Sequence, residues 1–389
     1  MKIMKISKRW IPAVVAPAVI GAVAAFPMQA NAVDLPDLSP TQLMVMMQDA
    51  QPVEFTGVVL KTTNLGLPAF ELSSMLSEEE VERMREKTPE EFAEFVPEVA
   101  ASEGLANAME LITGEHRVRI FVGETGMRAQ ILDRMSQRDL IVNQSEMWTY
   151  DSREQVATFA SVDQQKVEEG KVSAMEQLEK YASEIGLDMT NPQAVADFVM
   201  AQVGDSSEVS VGVDHYKAGR TAYQLIVRPN SDVSLIDSVV LSIDSETAVP
   251  LAVTVYSVEQ TEPAVEVGFE SISFGDQDES LFTFTAPSGA QVTNLDEMEL
   301  AKTEKPELEK YEGQEPTMIG EDWDSVLIMP AGENDLISEI QNNQILASLM
   351  TAVNGGMVFE TPLMKMFIAN DGRVFVGAVS LAYLQKLAN

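Results

Sequence analysis

The chain has 389 residues, 45% of them hydrophobic and 22% charged, which suits one large domain plus a smaller one and excludes a largely disordered chain. It contains no cysteine, so disulfides, thiolate metal sites, cysteine nucleophiles and an acylated cysteine anchor are excluded. A net charge of −35 excludes nucleic acid as a partner and sets the chain as a whole against anionic membrane surfaces.

The first segment predicts the compartment. Lys2, Lys5, Lys8 and Arg9 precede an apolar, Ala-rich stretch interrupted by Pro12, Pro17 and Gly21, and Ala30-Asn31-Ala32 follows as a small-x-small site. This is the layout of a secretory signal peptide over residues 1–32, with cleavage after Ala32. The expected destination is extracytoplasmic, in the cell envelope or outside the cell, without an acyl anchor.

Ser39-Pro40-Thr41-Gln42 predicts a helix start, with Ser39 as cap and Gln42 completing the box. Leu43, Met46, Met47 and Ala50 fall on one face of that helix. Glu54 to Thr63 predicts a strand. Residues 73–108 are Glu-dense with two further capping boxes, and predict short acidic helices inserted into a β framework. From His116 the apolar residues alternate with period two. Strands are expected over 116–122, 127–134 and 139–143, followed by a hairpin of 147–150 and 155–159 around Asp151-Ser152-Arg153-Glu154. Residues 165–203 predict two helices, the second started by Asn191-Pro192.

Six more strands are predicted at 207–216, 221–228, 234–244, 250–258, 265–274 and 281–284. Their short connections imply antiparallel pairing. Residues 291–316 read as an acidic linker with Pro306 and Pro316. A small α+β unit then occupies 317–389, with strands at 324–329, 357–359, 363–369 and 374–379, a helix over 334–350 and a last helix ending at Leu387.

Catalytic and metal signatures are sparse. His116 and His215 are the two histidines, each at a predicted strand end, where a solvated side chain is expected. No zinc spacing, Gly-x-Ser-x-Gly elbow, Gly-x-Gly-x-x-Gly or Walker pattern occurs. The loop Gly275-Asp276-Gln277-Asp278-Glu279 lacks the full ligand series of a calcium site. The expectation is a protein without enzymatic activity, metal or cofactor.

The alternating strands carry the informative pattern. Trp148 with Tyr150, Tyr223 with Leu225 and Val227, Leu251 with Val253 and Val255, Val267 with Phe269, and Phe282 with Phe284 each form an apolar row. A curved sheet must cover such rows with its own helices or with a ligand. Trp148, Tyr150, Tyr223, Leu225, Val253, Val255, Phe269 and Phe282 are therefore the expected cavity lining, beneath helices of residues 173–203.

Several strings resemble the LolA-like lipoprotein carriers, in an actinobacterial-type subgroup with a C-terminal extension. They are Phe55-Thr56-Gly57-Val58-Val59 with Asn64-Leu65-Gly66-Leu67-Pro68, Glu146-Met147-Trp148-Thr149-Tyr150-Asp151-Ser152, Ala218-Gly219-Arg220-Thr221-Ala222-Tyr223-Gln224-Leu225, and Phe282-Thr283-Phe284-Thr285-Ala286-Pro287. Asn370-Asp371-Gly372-Arg373-Val374-Phe375 adds a C-terminal match. The resemblance implies a mainly β fold with helices: an unclosed antiparallel β-barrel, or half-barrel, over residues 33–290. It implies a cavity for the acyl chains of a lipid or lipoprotein, and a carrier or chaperone role served by an ABC transporter. The alternative is an envelope-stress regulator that binds a membrane anti-sigma protein and senses lipid.

Overall fold

The computed structural model describes residues 35–66, 114–132, 136–165, 191–295, 316–331, 347 and 349–389. The expected signal peptide, the Glu-dense 73–108 segment, residues 166–190 of the expected helices, residues 296–315 of the expected linker and most of the helix expected over 334–350 lie outside the described residues.

The described chain is mainly β. Helix α1 (Pro40–Gln48) starts as the sequence predicts: Ser39 Oγ accepts from Gln42 N at 3.2 Å, and Ser39 N donates to Gln42 Oε1 at 2.8 Å. These contacts satisfy amides that have no partner inside the helix. Strands β1 (Phe55–Thr63), β2 (Gly114–Val122), β3 (Gly126–Leu132), β4 (Gln137–Asn143), β5 (Glu146–Asp151) and β6 (Val156–Ser161) follow. Helix α2 (Pro192–Gly204) is capped by Asn191, whose Oδ1 accepts from Gln193 N and Ala194 N. Then come β7 (Ser207–Val211), β8 (His215–Lys217), β9 (Arg220–Pro229), β10 (Ile236–Asp244), β11 (Pro250–Ser257), β12 (Val265–Phe274) and β13 (Gln291–Asn294).

These thirteen strands form one sheet in the order β13-β6-β5-β4-β3-β2-β1-β12-β11-β10-β9-β7, with β8 on the β9 edge. The end strands β13 and β7 are not joined to each other, so the sheet is an unclosed one. Its pairings are antiparallel except β13 with β6, which is parallel. The sheet is curved. On a flat sheet β8 and β12 would stand four strand spacings apart, about 19 Å, farther than a Lys–Glu pair reaches. Yet Lys217 of β8 bonds Glu266 of β12 at 2.5 Å.

Three expectations change. The single strand expected over 207–216 is broken into β7 and β8 around Gly212-Val213-Asp214. Residues 281–284 are not a strand: Glu279–Phe282 is a 3-10 turn capped by Asp278. The first four residues of the acidic linker are strand β13.

The C-terminal unit is a second, six-stranded sheet: β14 (Thr317–Ile319), β15 (Val326–Met329), β16 (Thr351–Val353), β17 (Gly356–Glu360), β18 (Lys365–Ala369) and β19 (Val374–Gly377), in the order β14-β15-β19-β18-β17-β16. Helix α3 (Leu381–Ala388) packs on it through Leu384, against a core of Val326, Val358, Phe367 and Phe375. The unit docks on the large sheet through Val233, which packs against this core, and through hydrogen bonds. Leu235 N donates to Ala378 O and Ser380 N to Val233 O, each at 2.8 Å. Trp323 Nε1 donates to Ser207 Oγ at 2.7 Å, and the buried Lys365 ammonium bonds Glu259 at 2.6 Å and Glu360 at 3.1 Å.

Candidate ligand-binding face

Cross-strand register sorts the large sheet into two faces, because directly opposed residues share a face and neighbours along a strand alternate. One continuous row runs Leu225, Leu241, Val253, Val267, Lys61 and His116. A second runs Phe269, Val59, Val118, Ile131, Arg138 and Asp151. A third runs Ile120, Ala129, Leu140 and Thr149, and a fourth Val122, Met127, Val142 and Met147. This first face is apolar across almost its full width.

Its two ends are covered differently. At the β7–β9–β10 end, Tyr223, Leu225 and Ile243 are buried under α1, packed with Leu43, Met44, Met46 and Met47. The Tyr223 hydroxyl donates to Pro36 O at 3.2 Å, and burial, with the Asp214 charge, raises its pKa. Toward the middle, Val253, Val267 and Phe269 are also buried, while Val255 is half-buried. At the β2–β5 end the pattern changes. Val118, Ile120, Ile131, Leu140, Val142 and Met147 are all half-buried, and Met127 is 39% exposed. None of the apolar side chains there is fully buried.

Three of the predicted lining residues stand on the other face. Trp148 lies opposite Ile141, then Arg128, Phe121 and Thr56 across the sheet, one step out of phase with the first face. Tyr150 shares its side. Phe284 packs on both rings, at 5.3 Å from Trp148 and 5.5 Å from Tyr150 between centroids, and Phe159 lies 4.8 Å from Trp148. Phe282 is 2% exposed and fills the space left by the missing side chains of Gly123 and Gly126. Asn143 Nδ2 fixes this turn by donating to Phe282 O at 2.9 Å. The expectation of one lining set thus divides. Tyr223, Leu225, Val253, Val255 and Phe269 share the first face, whereas Trp148, Tyr150 and Phe282 form an aromatic cluster on the second, covered by residues 279–284. Among the described residues the cover over Tyr223 and Leu225 is α1; residues 173–190 of the expected lid lie outside the described residues. Leu140 and its half-buried neighbours on β2–β5 share the first face and were not among the expected lining residues. The signal for them was the alternation at Val118, Ile120 and Val122.

Two buried carboxylates on the second face are paired, while His215 Nδ1 is buried without a hydrogen-bond partner among the described residues. Buried Asp139 accepts from Arg128 Nε at 2.9 Å, Gln130 Nε2 at 2.8 Å and Gln137 Nε2 at 2.5 Å. Asp244, fully buried, accepts from Arg220 Nε at 2.6 Å and Nη2 at 3.0 Å. His215 differs from the solvated residue expected: it is half-buried, with Nε2 3.1 Å from Ser242 Oγ. Burial and then the Lys217 charge push its pKa down, which favours the neutral ring. Ser242 is 4% exposed. Among the described residues there is no group of three or more His, Asp or Glu side chains placed to hold a metal ion, and no helix long and apolar enough to cross a membrane.

No family model and no curated protein matches the chain. Solved structures are similar at low identity. A chain of the Pseudomonas aeruginosa MucA/MucB complex is 12% identical, with 89% of this chain and 94% of that one covered and a TM-score of 0.36. A LolA superfamily protein from Nitrosomonas europaea is 10% identical, with 64% and 99% covered and a TM-score of 0.20. A DUF1329 family protein from Desulfovibrio piger is 8% identical, with 63% and 95% covered and a TM-score of 0.21.

Proposed function

We propose that this is an exported, non-enzymatic cell-envelope protein of the LolA-like kind, which holds the acyl chain of a lipid or lipoprotein on the first face of its large sheet and acts as its carrier or chaperone. One observation carries this reading: the apolar face continues unbroken from its buried end under α1 to β2–β5, where its apolar side chains are only half-buried. A contiguous apolar patch exposed to water is disfavoured and marks a binding surface. An acyl chain laid along β2–β5 would remove it from water. The signal-like first 32 residues support export, and the unclosed sheet supports the resemblance.

The test is saturable binding of a fluorescent fatty-acyl probe to the folded protein. Leu140→Asp should abolish it by placing a charge on the acyl track, while circular dichroism stays that of the wild type because Leu140 is half-buried. Folded wild-type protein that binds no acyl probe would sink the carrier reading and favour the regulator, whose partner is a membrane anti-sigma protein.

A further inference from the structure

The third row of the first face extends in both directions. Gly57 of β1 stands opposite Ile120; Ala129, Leu140 and Thr149 follow, then Thr158 of β6 and Thr293 of β13. The two ends of this row differ in kind. At β1 it runs into an aromatic ring. The Phe269 ring lies over Gly57, where a Cβ would fall 2.6 Å from Phe269 Cε1, and Phe55 packs edge-on against that ring at 5.6 Å between centroids. At the β5–β6–β13 end the row becomes three successive threonines, Thr149 exposed and Thr158 and Thr293 half-buried.

Threonines opposed across strands ordinarily stabilise a sheet by bonding to each other. These three do not: among the described residues none of their hydroxyls has a hydrogen-bond partner. They are donors and acceptors left open at the end of an apolar track. Charge beside them is balanced, because Arg138 on the neighbouring row stands directly opposite Asp151. A balanced pair gives an ionic head no net attraction, and a chain of net charge −35 repels an anionic one. An uncharged head that carries hydroxyls suits such an end. From Leu140 on β4 to Gly57 on β1 the row crosses three strand spacings, about 14 Å. A single acyl chain occupies half of a hydrocarbon core, about 15 Å. A tail of that length, with its head at the threonines, ends against the Phe269 ring.

We infer that Thr149, Thr158 and Thr293 form the head subsite of the acyl face, and that the ligand is an uncharged, hydroxyl-bearing lipid of the acylglycerol class, its tail lying across β4, β3 and β2 toward Phe269. This deepens the reading that the face takes an acyl chain, and rests on it. Each threonine hydroxyl can donate one hydrogen bond and accept others, so the ladder meets both the hydroxyls and the ester oxygens of a glyceride head. A site that bonds a ligand hydroxyl discriminates against the analogue lacking it.

Calorimetric titration of the full protein with monomyristoylglycerol, with methyl myristate, which has the same tail and ester but no hydroxyl, and with the anionic myristoyl lysophosphatidylglycerol tests it. The wild type should prefer monomyristoylglycerol over methyl myristate by about tenfold, the effect of two hydrogen bonds of ordinary net strength. T149V/T158V is close to isosteric and keeps β-branched residues in both strands. It should lose that preference while binding methyl myristate as before, and T149S/T158S, which keeps both hydroxyls, should retain it. Equal wild-type affinity for the two uncharged lipids, a preference that survives in T149V/T158V, or tighter binding of lysophosphatidylglycerol than of monomyristoylglycerol would overturn the head subsite and leave the acyl face standing. Binding of none of the three by the folded wild type would overturn the acyl face, and the subsite with it.

Discussion

Asp244→Asn probes how the β9–β10 corner is held. Asp244 is fully buried, and its two oxygens accept from Arg220 Nε and Nη2, from the amides of Glu246 at 3.1 Å and Thr247 at 2.8 Å, and from Thr247 Oγ1 at 2.9 Å. Asparagine keeps one acceptor for the turn amides but turns the other position into a donor facing Arg220 Nε. Removing one partner of a buried ion pair costs about 3–5 kcal/mol. Here Arg220 is partly exposed and keeps Glu246 at 2.7 Å, so the expected loss is about 2–3 kcal/mol. The pH dependence gives a second reading. Burial alone would raise the Asp244 pKa, but Arg220, Thr247 and Glu246 hold it below the ordinary value. A depressed carboxylate pKa contributes stability that is present above the unfolded value of about 3.9 and is lost as pH falls through the folded value. Urea unfolding followed by far-ultraviolet circular dichroism should show the full difference between wild type and variant at pH 7, persisting to about pH 4 and shrinking below it. A loss under about 0.5 kcal/mol at pH 7, or a difference unchanged in strong acid, would refute the reasoning.

Tyr223→Ala empties the core under α1 and should destabilise by about 3–5 kcal/mol; a loss below about 1 kcal/mol in the same unfolding assay would mean the site is not a packed core. Lys365→Met removes a buried ammonium that burial pulls down in pKa but that Glu259 and Glu360 carry above its ordinary value. It should loosen the docking of the two units and speed proteolysis near residues 257–263, and an unchanged cleavage pattern would contradict that. Protein recovered from the cell envelope should begin at Val33; an intact N-terminus would contradict cleavage after Ala32.

The β framework was legible because each half-buried strand shows its period in the sequence. Pro250–Ser257 and Val265–Phe274 match their expected spans closely, and Ser39 and Asn191 announced their helices through capping chemistry. What failed was phase. Trp148 and Phe269 each sit in an alternating row, but alternation within a strand does not say which face two separated strands share. That follows only from the chain of pairings through β1 to β5, which places Trp148 with Thr56 and Phe269 with Val59. Phe282 and Phe284 alternate like a strand, yet Asp278 caps a 3-10 turn there by accepting from Ser280 N at 2.9 Å. Strand β13 was hidden because its partner β6 is distant in sequence and parallel, so no hairpin turn marks it.

The central claim is that the half-buried apolar residues of β2–β5 on the first face hold an acyl chain. A photoactivatable fatty-acyl probe, crosslinked to the folded protein and mapped by peptide mass spectrometry, tests it most directly. Labels should fall on Val118, Ile120, Ile131, Leu140, Val142 and Met147 and be competed away by unlabelled lipid. Competable labelling concentrated on Trp148, Tyr150 and Phe284, which occupy the opposite face, would contradict the account.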